Sequence, residues 1–233
     1  MITSRLFVAS LAAAASASGL YRNLHQRQSS GNSPQAAPAV TGATYDGQCF
    51  YPKPTDDFVL DEYLGRWYQV AGTLAPFTAG CKCIFADYAL NLSTKQKEKD
   101  NGTVNVQNAC ELNGTQIPIE GTATPVSPYA GYGHVGVLRV QFPGQPGPDC
   151  PGPNYIVQDI GLSSEDDCHS KVSADEDNAF AIVQANNFTT LFLLSRNQNP
   201  SNASIEAWLE RARKQGSDLD NVAITDQTNC QFT

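Results

Sequence analysis

Few residues of this chain have the type and spacing to do chemistry. His25, His134 and His169 are scattered, with no spacing that suits a metal ion, so no metal site is expected. Gly131-Tyr132-Gly133-His134-Val135-Gly136 has the spacing of a dinucleotide loop, but such a loop follows a strand and opens a helix. Here a proline-containing loop precedes it and a strand pattern follows, so no cofactor is expected. Asp166, Asp167, Asp175, Glu176 and Asp177 crowd one stretch without the glycine-centred calcium pattern, and read as a solvated hairpin tip. Two other groups carry more. Gly65 and Trp67 begin a strand pattern: the glycine permits a tight bend and the indole is a large apolar plug. Far along the chain, Leu193-Leu194-Ser195-Arg196 supplies a cation that could lie across that indole. Asn108 is a polar residue on a strand face otherwise made by Val104 and Val106. A buried amide needs a partner, and a ligand hydroxyl or carbonyl, a water or a neighbouring strand would each serve.

The elements that must position these residues are short strands. Alternation and turn residues mark strands over residues 66–73, 83–92, 103–108, 115–124, 134–142, 155–160, 179–185 and 189–195. Ile84, Ala86, Tyr88 and Leu90 share one face of the second; Leu138, Val140 and Phe142 point inward from the fifth; Phe192 and Leu194 share parity with Arg196. After the last strand the period changes. Ser201 suits a helix N-cap, Ile205, Trp208, Leu209 and Ala212 recur at helical spacing, and Gly216 stops the helix behind Arg211, Arg213 and Lys214. Eight consecutive strands on hairpin-length loops, followed by one helix, predict an all-β fold: an eight-stranded up-and-down antiparallel barrel with a C-terminal helix packed outside. Such a barrel has room inside for side chains or one small ligand.

The remainder of the chain concerns export. Residues 1–17 read as a secretory signal, with Arg5, an apolar core and a small-residue cleavage site at Ala15-Ser16-Ala17. Residues 18–45, rich in Ser, Gln, Ala, Gly and Pro, read as a disordered leader, and 46–233 as the barrel domain. No apolar run is long enough to cross a membrane as a helix. The net charge of −8, with no basic patch, argues against nucleic acid and anionic membranes as partners. Seven Cys and glycosylation sequons at Asn91, Asn101, Asn113, Asn187 and Asn202 fit an oxidising, extracellular setting. In an up-and-down barrel Cys49 and Cys168 both fall at the closed end, which suggests a Cys49–Cys168 bridge. Cys81, Cys110 and Cys150 gather near the open end, and the odd total leaves one of them over.

Tyr63-Leu64-Gly65-Arg66-Trp67-Tyr68 resembles the first motif of the lipocalin family, and Leu193-Leu194-Ser195-Arg196 resembles its third. The similarity is nearest to the family's apolipoprotein D and bacterial outer-membrane branches, and Cys83-Ile84 with Asp87-Tyr88, the stretch 119–126, and Thr225-Asp226-Gln227-Thr228-Asn229-Cys230 resemble the former in particular. The family's second motif is reduced here to Gln158-Asp159-Ile160, which keeps only the acid. The resemblance implies a carrier that takes a small hydrophobic molecule of the lipid, steroid, retinoid or pigment class into the barrel, without catalysis. It places Tyr88, Asn108, Phe192 and Leu194 at the cavity wall, where Val106, Leu138 and Val140 join them by alternation, and it pairs Cys83 with Cys230. Some lipocalin-like proteins isomerise or cyclise bound ligands, so an enzyme is the alternative. Its activated nucleophile would have to be Cys110.

Overall fold

The computed structural model describes residues 42–74, 78–91, 103–126, 136–145, 147, 149–161 and 179–232. The expected signal, the leader up to residue 41, the sequon at Asn101, the acidic stretch at 163–178 with Cys168, and all of the glycine loop except Gly136 lie outside them.

Eight antiparallel strands make the barrel: β3 (Gly65–Thr73), β4 (Lys82–Leu90), β5 (Val104–Leu112), β6 (Thr115–Pro125), β7 (Val137–Gln141), β8 (Tyr155–Gly161), β9 (Phe180–Gln184) and β10 (Leu191–Ser195). Each pairs with the next, and β10 returns to β3 with Phe192 opposite Gly72 and Ser195 opposite Tyr68, which closes the sheet. The expected fold is therefore the observed one. Alternation puts one face of each strand inside. Trp67, Ala86, Tyr88, Val106, Leu138, Val183 and Leu194 belong to this interior cluster.

A second apolar cluster lies between the barrel and helix α2 (Asn202–Lys214). Ser201 caps α2 by accepting from the Ser204 N–H at 3.1 Å. Ile205, Trp208 and Ala212 face the sheet, and Trp208 stacks on Phe180 with ring centroids 5.1 Å apart. At the C-terminal end, the Arg211 guanidinium donates twice to Asp159, the acid kept from the family's second motif.

The lead-in differs from expectation. Ala43–Tyr45 (β1), at the end of the expected leader, pairs with Phe50–Pro52 (β2). This hairpin lies beside the β9–β10 turn, where the Phe50 N–H donates to Asn187 Oδ1 at 2.8 Å. The chain then passes β8, with the Thr55 N–H donating to the Val157 carbonyl at 2.9 Å. It reaches the opposite end of the barrel at the short helix α1 (Leu60–Tyr63). Cys49 therefore starts at the end that carries the β7–β8 connection, and it is bonded to Cys150 of that connection. This corrects the expected Cys49–Cys168 bridge: the lead-in enters at the open end rather than the closed one. Cys81 is bonded to Cys110, so neither is left over, and Cys83 is bonded to Cys230 as the resemblance implied.

The C-terminal tail repairs a gap in the wall. β3 and β4 pair only from Gly65–Tyr88 to Tyr68–Phe85. Beyond that β4 is irregular: its register against β5 shifts between Lys82 and Phe85, and Cys83 takes a positive φ of 54°. Strand β11 (Val222–Ile224) pairs with the upper part of β3 in its place. Next to β11, the Gln227 amide donates to Gln69 O at 2.9 Å and Ile84 O at 2.8 Å, bridging the split directly. The Cys83 N–H donates to Asp226 O, and the Gln231 N–H reaches Glu111, which also meets Lys82. Among the sequons, Asn113, Asn187 and Asn202 are exposed and Asn91 is half-buried.

Replacing Cys83 and Cys230 together by Ser is expected to lower stability by about 2–5 kcal/mol, read as a fall in the urea midpoint. With six of the seven Cys bonded in pairs, thiol titration of the denatured, unreduced chain should find one thiol per molecule.

Candidate ligand cavity

The floor of the barrel is built from the Gly65–Trp67 and Arg196 groups. Gly65 has a φ of +88°, which a side chain would oppose, and it turns the chain from α1 into β3. Trp67 is fully buried, and its indole N–H donates to Tyr63 O at 2.8 Å. The Arg196 guanidinium lies over the indole at 3.9 Å from the ring centroid. It also donates to the carbonyls of Arg66 at 2.5 Å, Glu62 at 2.7 Å and Leu64 at 2.7 Å. The last two are carbonyls at the C-terminal end of α1, which have no intrahelical partner and attract a cation. One side chain thus ties α1, β3 and β10 together across the end of the barrel.

Above this floor lies a cavity of about 890 Å³. Tyr88 from β4, Val106 and Asn108 from β5, Leu138 and Val140 from β7, and Phe192 and Leu194 from β10 all face it. The structure therefore brings together all seven residues that sequence reasoning placed at the wall. None of the described residues lining the cavity is charged. Asn108 Oδ1, an atom of the residue singled out in the sequence, is buried and has no hydrogen-bond partner among the described residues.

Tyr63 from α1 and Tyr155 from β8 also line the cavity, and sequence reasoning missed both as site residues. Tyr155 shares parity with the buried Val157, so strand alternation carried a signal for it; for Tyr63, ahead of the first strand, only the motif did. The Tyr63 and Tyr155 hydroxyls are 2.6 Å apart, and those of Tyr88 and Tyr155 are 3.0 Å apart. Tyr63 stacks on Tyr88 with centroids at 5.6 Å, and Tyr88 meets Tyr155 edge-on at 6.3 Å. All three rings are at most 9% exposed. Burial, which disfavours the phenolate, pushes Tyr88 up to about 12 and holds Tyr63 and Tyr155 well above the ordinary phenol value.

Cys110 lines the cavity too, but its sulfur is bonded to Cys81. The expectation that it could serve as an activated nucleophile is corrected: a disulfide sulfur has no thiolate to offer. Among the described residues no group of three His, Cys, Asp or Glu side chains is placed to hold a metal ion.

The raised phenols make an alkaline limit. Their folded values lie above the unfolded one, so their contribution to stability is complete below roughly pH 10 and is lost as pH rises through the folded values. Absorbance at the phenolate band should show Tyr63, Tyr88 and Tyr155 ionising only together with loss of near-ultraviolet circular dichroism. In the Tyr63→Phe/Tyr88→Phe/Tyr155→Phe variant that late step should disappear.

Comparison with known proteins agrees with this geometry. The family model described as "Lipocalin-like domain" matches residues 58–227. Apolipoprotein D of Cavia porcellus is 29% identical over 202 residues, which cover 83% of this chain and 90% of that one. The outer membrane lipoprotein Blc of Vibrio cholerae is 26% identical over 180 residues, covering 75% and 86%. Among solved structures, insecticyanin from the tobacco hornworm Manduca sexta shares the fold with a TM-score of 0.50 at 18% identity, covering 81% of this chain and 92% of that one. No helix among the described residues is long and apolar enough to cross a membrane. With the indole and guanidinium stacked under a closed eight-stranded barrel and the matched region spanning most of the sequence, the chain belongs to the lipocalin family, which binds small hydrophobic ligands.

Proposed function

We propose that this chain is a secreted carrier that holds a small hydrophobic molecule in its barrel. The observation that carries the proposal is the cavity of about 890 Å³: it is closed below by Trp67 and Arg196, lined for the larger part by apolar side chains, and polar only through neutral amides, hydroxyls and phenols among the described residues. That combination suits ligand binding, since the apolar wall supplies affinity and a few polar atoms fix orientation. In this reading Tyr88, Val106, Leu138, Val140, Phe192 and Leu194 provide the apolar contact. Asn108 Oδ1 awaits a hydroxyl or N–H of the guest, because an unmet buried acceptor gains from a donor. Secretion is supported by the signal-like residues 1–17, by three disulfides and by the sequons, of which Asn113, Asn187 and Asn202 are exposed. An isomerase or cyclase reading has lost its nucleophile with the Cys81–Cys110 bond.

Native mass spectrometry of the protein purified from its own source should show a co-purifying apolar molecule. Phe192→Asp, which sets a carboxylate in the uncharged wall, should abolish that adduct and weaken binding of an apolar fluorescent probe at least tenfold, with circular dichroism unchanged. Undiminished probe binding by this variant would place the guest elsewhere and sink the proposal.

A further inference from the structure

The three phenols at the floor hold one proton too many. Each tyrosine hydroxyl has a single proton to donate. Two hydrogen bonds join the three oxygens, Tyr63 to Tyr155 and Tyr88 to Tyr155, and each bond consumes one proton whichever way it runs. One proton is therefore left without an acceptor, and none of the three hydroxyls bonds to any other group among the described residues. A buried donor left bare forfeits its hydration and gets nothing back. All three side chains line the cavity, so the cluster borders the space a guest would fill.

The surroundings decide what kind of guest. No charged side chain lines the cavity among the described residues. Arg196, whose charge acts on Tyr63 and Tyr88, already donates to three backbone carbonyls and lies against Trp67. A carboxylate seated on the phenols would be stripped of water with no counter-charge beyond this already occupied guanidinium, a loss that one hydrogen bond does not offset. A hydroxyl could accept the spare proton too, but its own proton would then need a further acceptor, such as Asn108 Oδ1. A neutral carbonyl brings only lone pairs. Resting on the carrier reading above, we infer that the ligand is a neutral apolar molecule that enters oxygen-first and seats a carbonyl oxygen on the spare hydroxyl of the Tyr63–Tyr88–Tyr155 cluster. The upward displacement of all three phenol ionisations agrees with this, since the cluster stays a donor throughout the neutral range.

The test compares methyl dodecyl ketone with the alkene in which a methylene group replaces its oxygen, with tetradecanoate as a third probe. Each is bound to the wild-type chain and to the Tyr63→Phe/Tyr88→Phe/Tyr155→Phe variant by displacement of a fluorescent apolar probe. The ketone should lose roughly 3- to 10-fold in affinity on passing to the variant, while the alkene loses nothing, because only the ketone has a hydrogen bond to lose. The infrared carbonyl stretch of the bound ketone should lie below its value in dry alkane for the wild type and return towards it in the variant. Equal change for ketone and alkene, or an unshifted stretch in the wild type, overturns the inference and leaves the carrier reading intact. A loss for tetradecanoate as large as that for the ketone overturns the requirement for neutrality. Failure of all three probes to bind the wild type defeats the carrier reading instead. If the triple variant does not fold, the wild-type carbonyl frequency decides alone.

Discussion

A guanidinium lying over an indole holds this barrel shut. Arg196 does what a lysine in its place could not: it lies over the Trp67 ring while its fork donates to the carbonyls of Glu62, Leu64 and Arg66. Those carbonyls come from the end of a one-turn helix and the start of the first barrel strand, so one side chain fixes where the lead-in stops and the barrel begins. Gly65 serves the same seal, since its φ of +88° turns the chain between Glu62 O and Arg66 O, both of which meet the one fork. With that end sealed, an eight-stranded sheet that might have been a tube becomes a cup. The tyrosine cluster stands directly on the seal: Tyr63 accepts the Trp67 indole proton at its carbonyl and offers its ring to Tyr88.

The wall has a separate weakness and a separate remedy. Where β3 and β4 diverge, each would present unpaired backbone groups, which are costly when buried. The chain answers with its own C-terminus. β11 takes over the pairing, and the Gln227 side-chain amide imitates a backbone N–H, bridging Gln69 O and Ile84 O. The Cys83–Cys230 bond then holds this patch in place.

Much of the site could be read from the sequence because the side-chain period of a strand is two and leaves no freedom. Once Val104 and Val106 point inward, Asn108 must follow; once Arg196 reaches the floor, Phe192 and Leu194 must face the cavity. The helix was equally legible, since Ile205, Trp208 and Ala212 keep its spacing. What escaped were relations that parity does not encode. Whether Cys49 meets Cys150 depends on which end of the barrel the lead-in enters, a choice made by contacts such as Phe50 N to Asn187 Oδ1 between residues far apart in sequence. The Tyr63–Tyr155 pair joins an α1 residue to a β8 residue, and no local pattern links them. Gln227 sits in an irregular tail where neither period applies.

The three disulfides are unevenly distributed. Cys49–Cys150, Cys81–Cys110 and Cys83–Cys230 all fall on the half of the barrel away from α1, whereas among the described residues the Trp67 end is held by stacking, hydrogen bonds and apolar contact. The molecule is a vessel with a riveted rim and an unriveted base. A reductant would therefore act on the brim through which a guest would come and go, and leave the stacked base as it was.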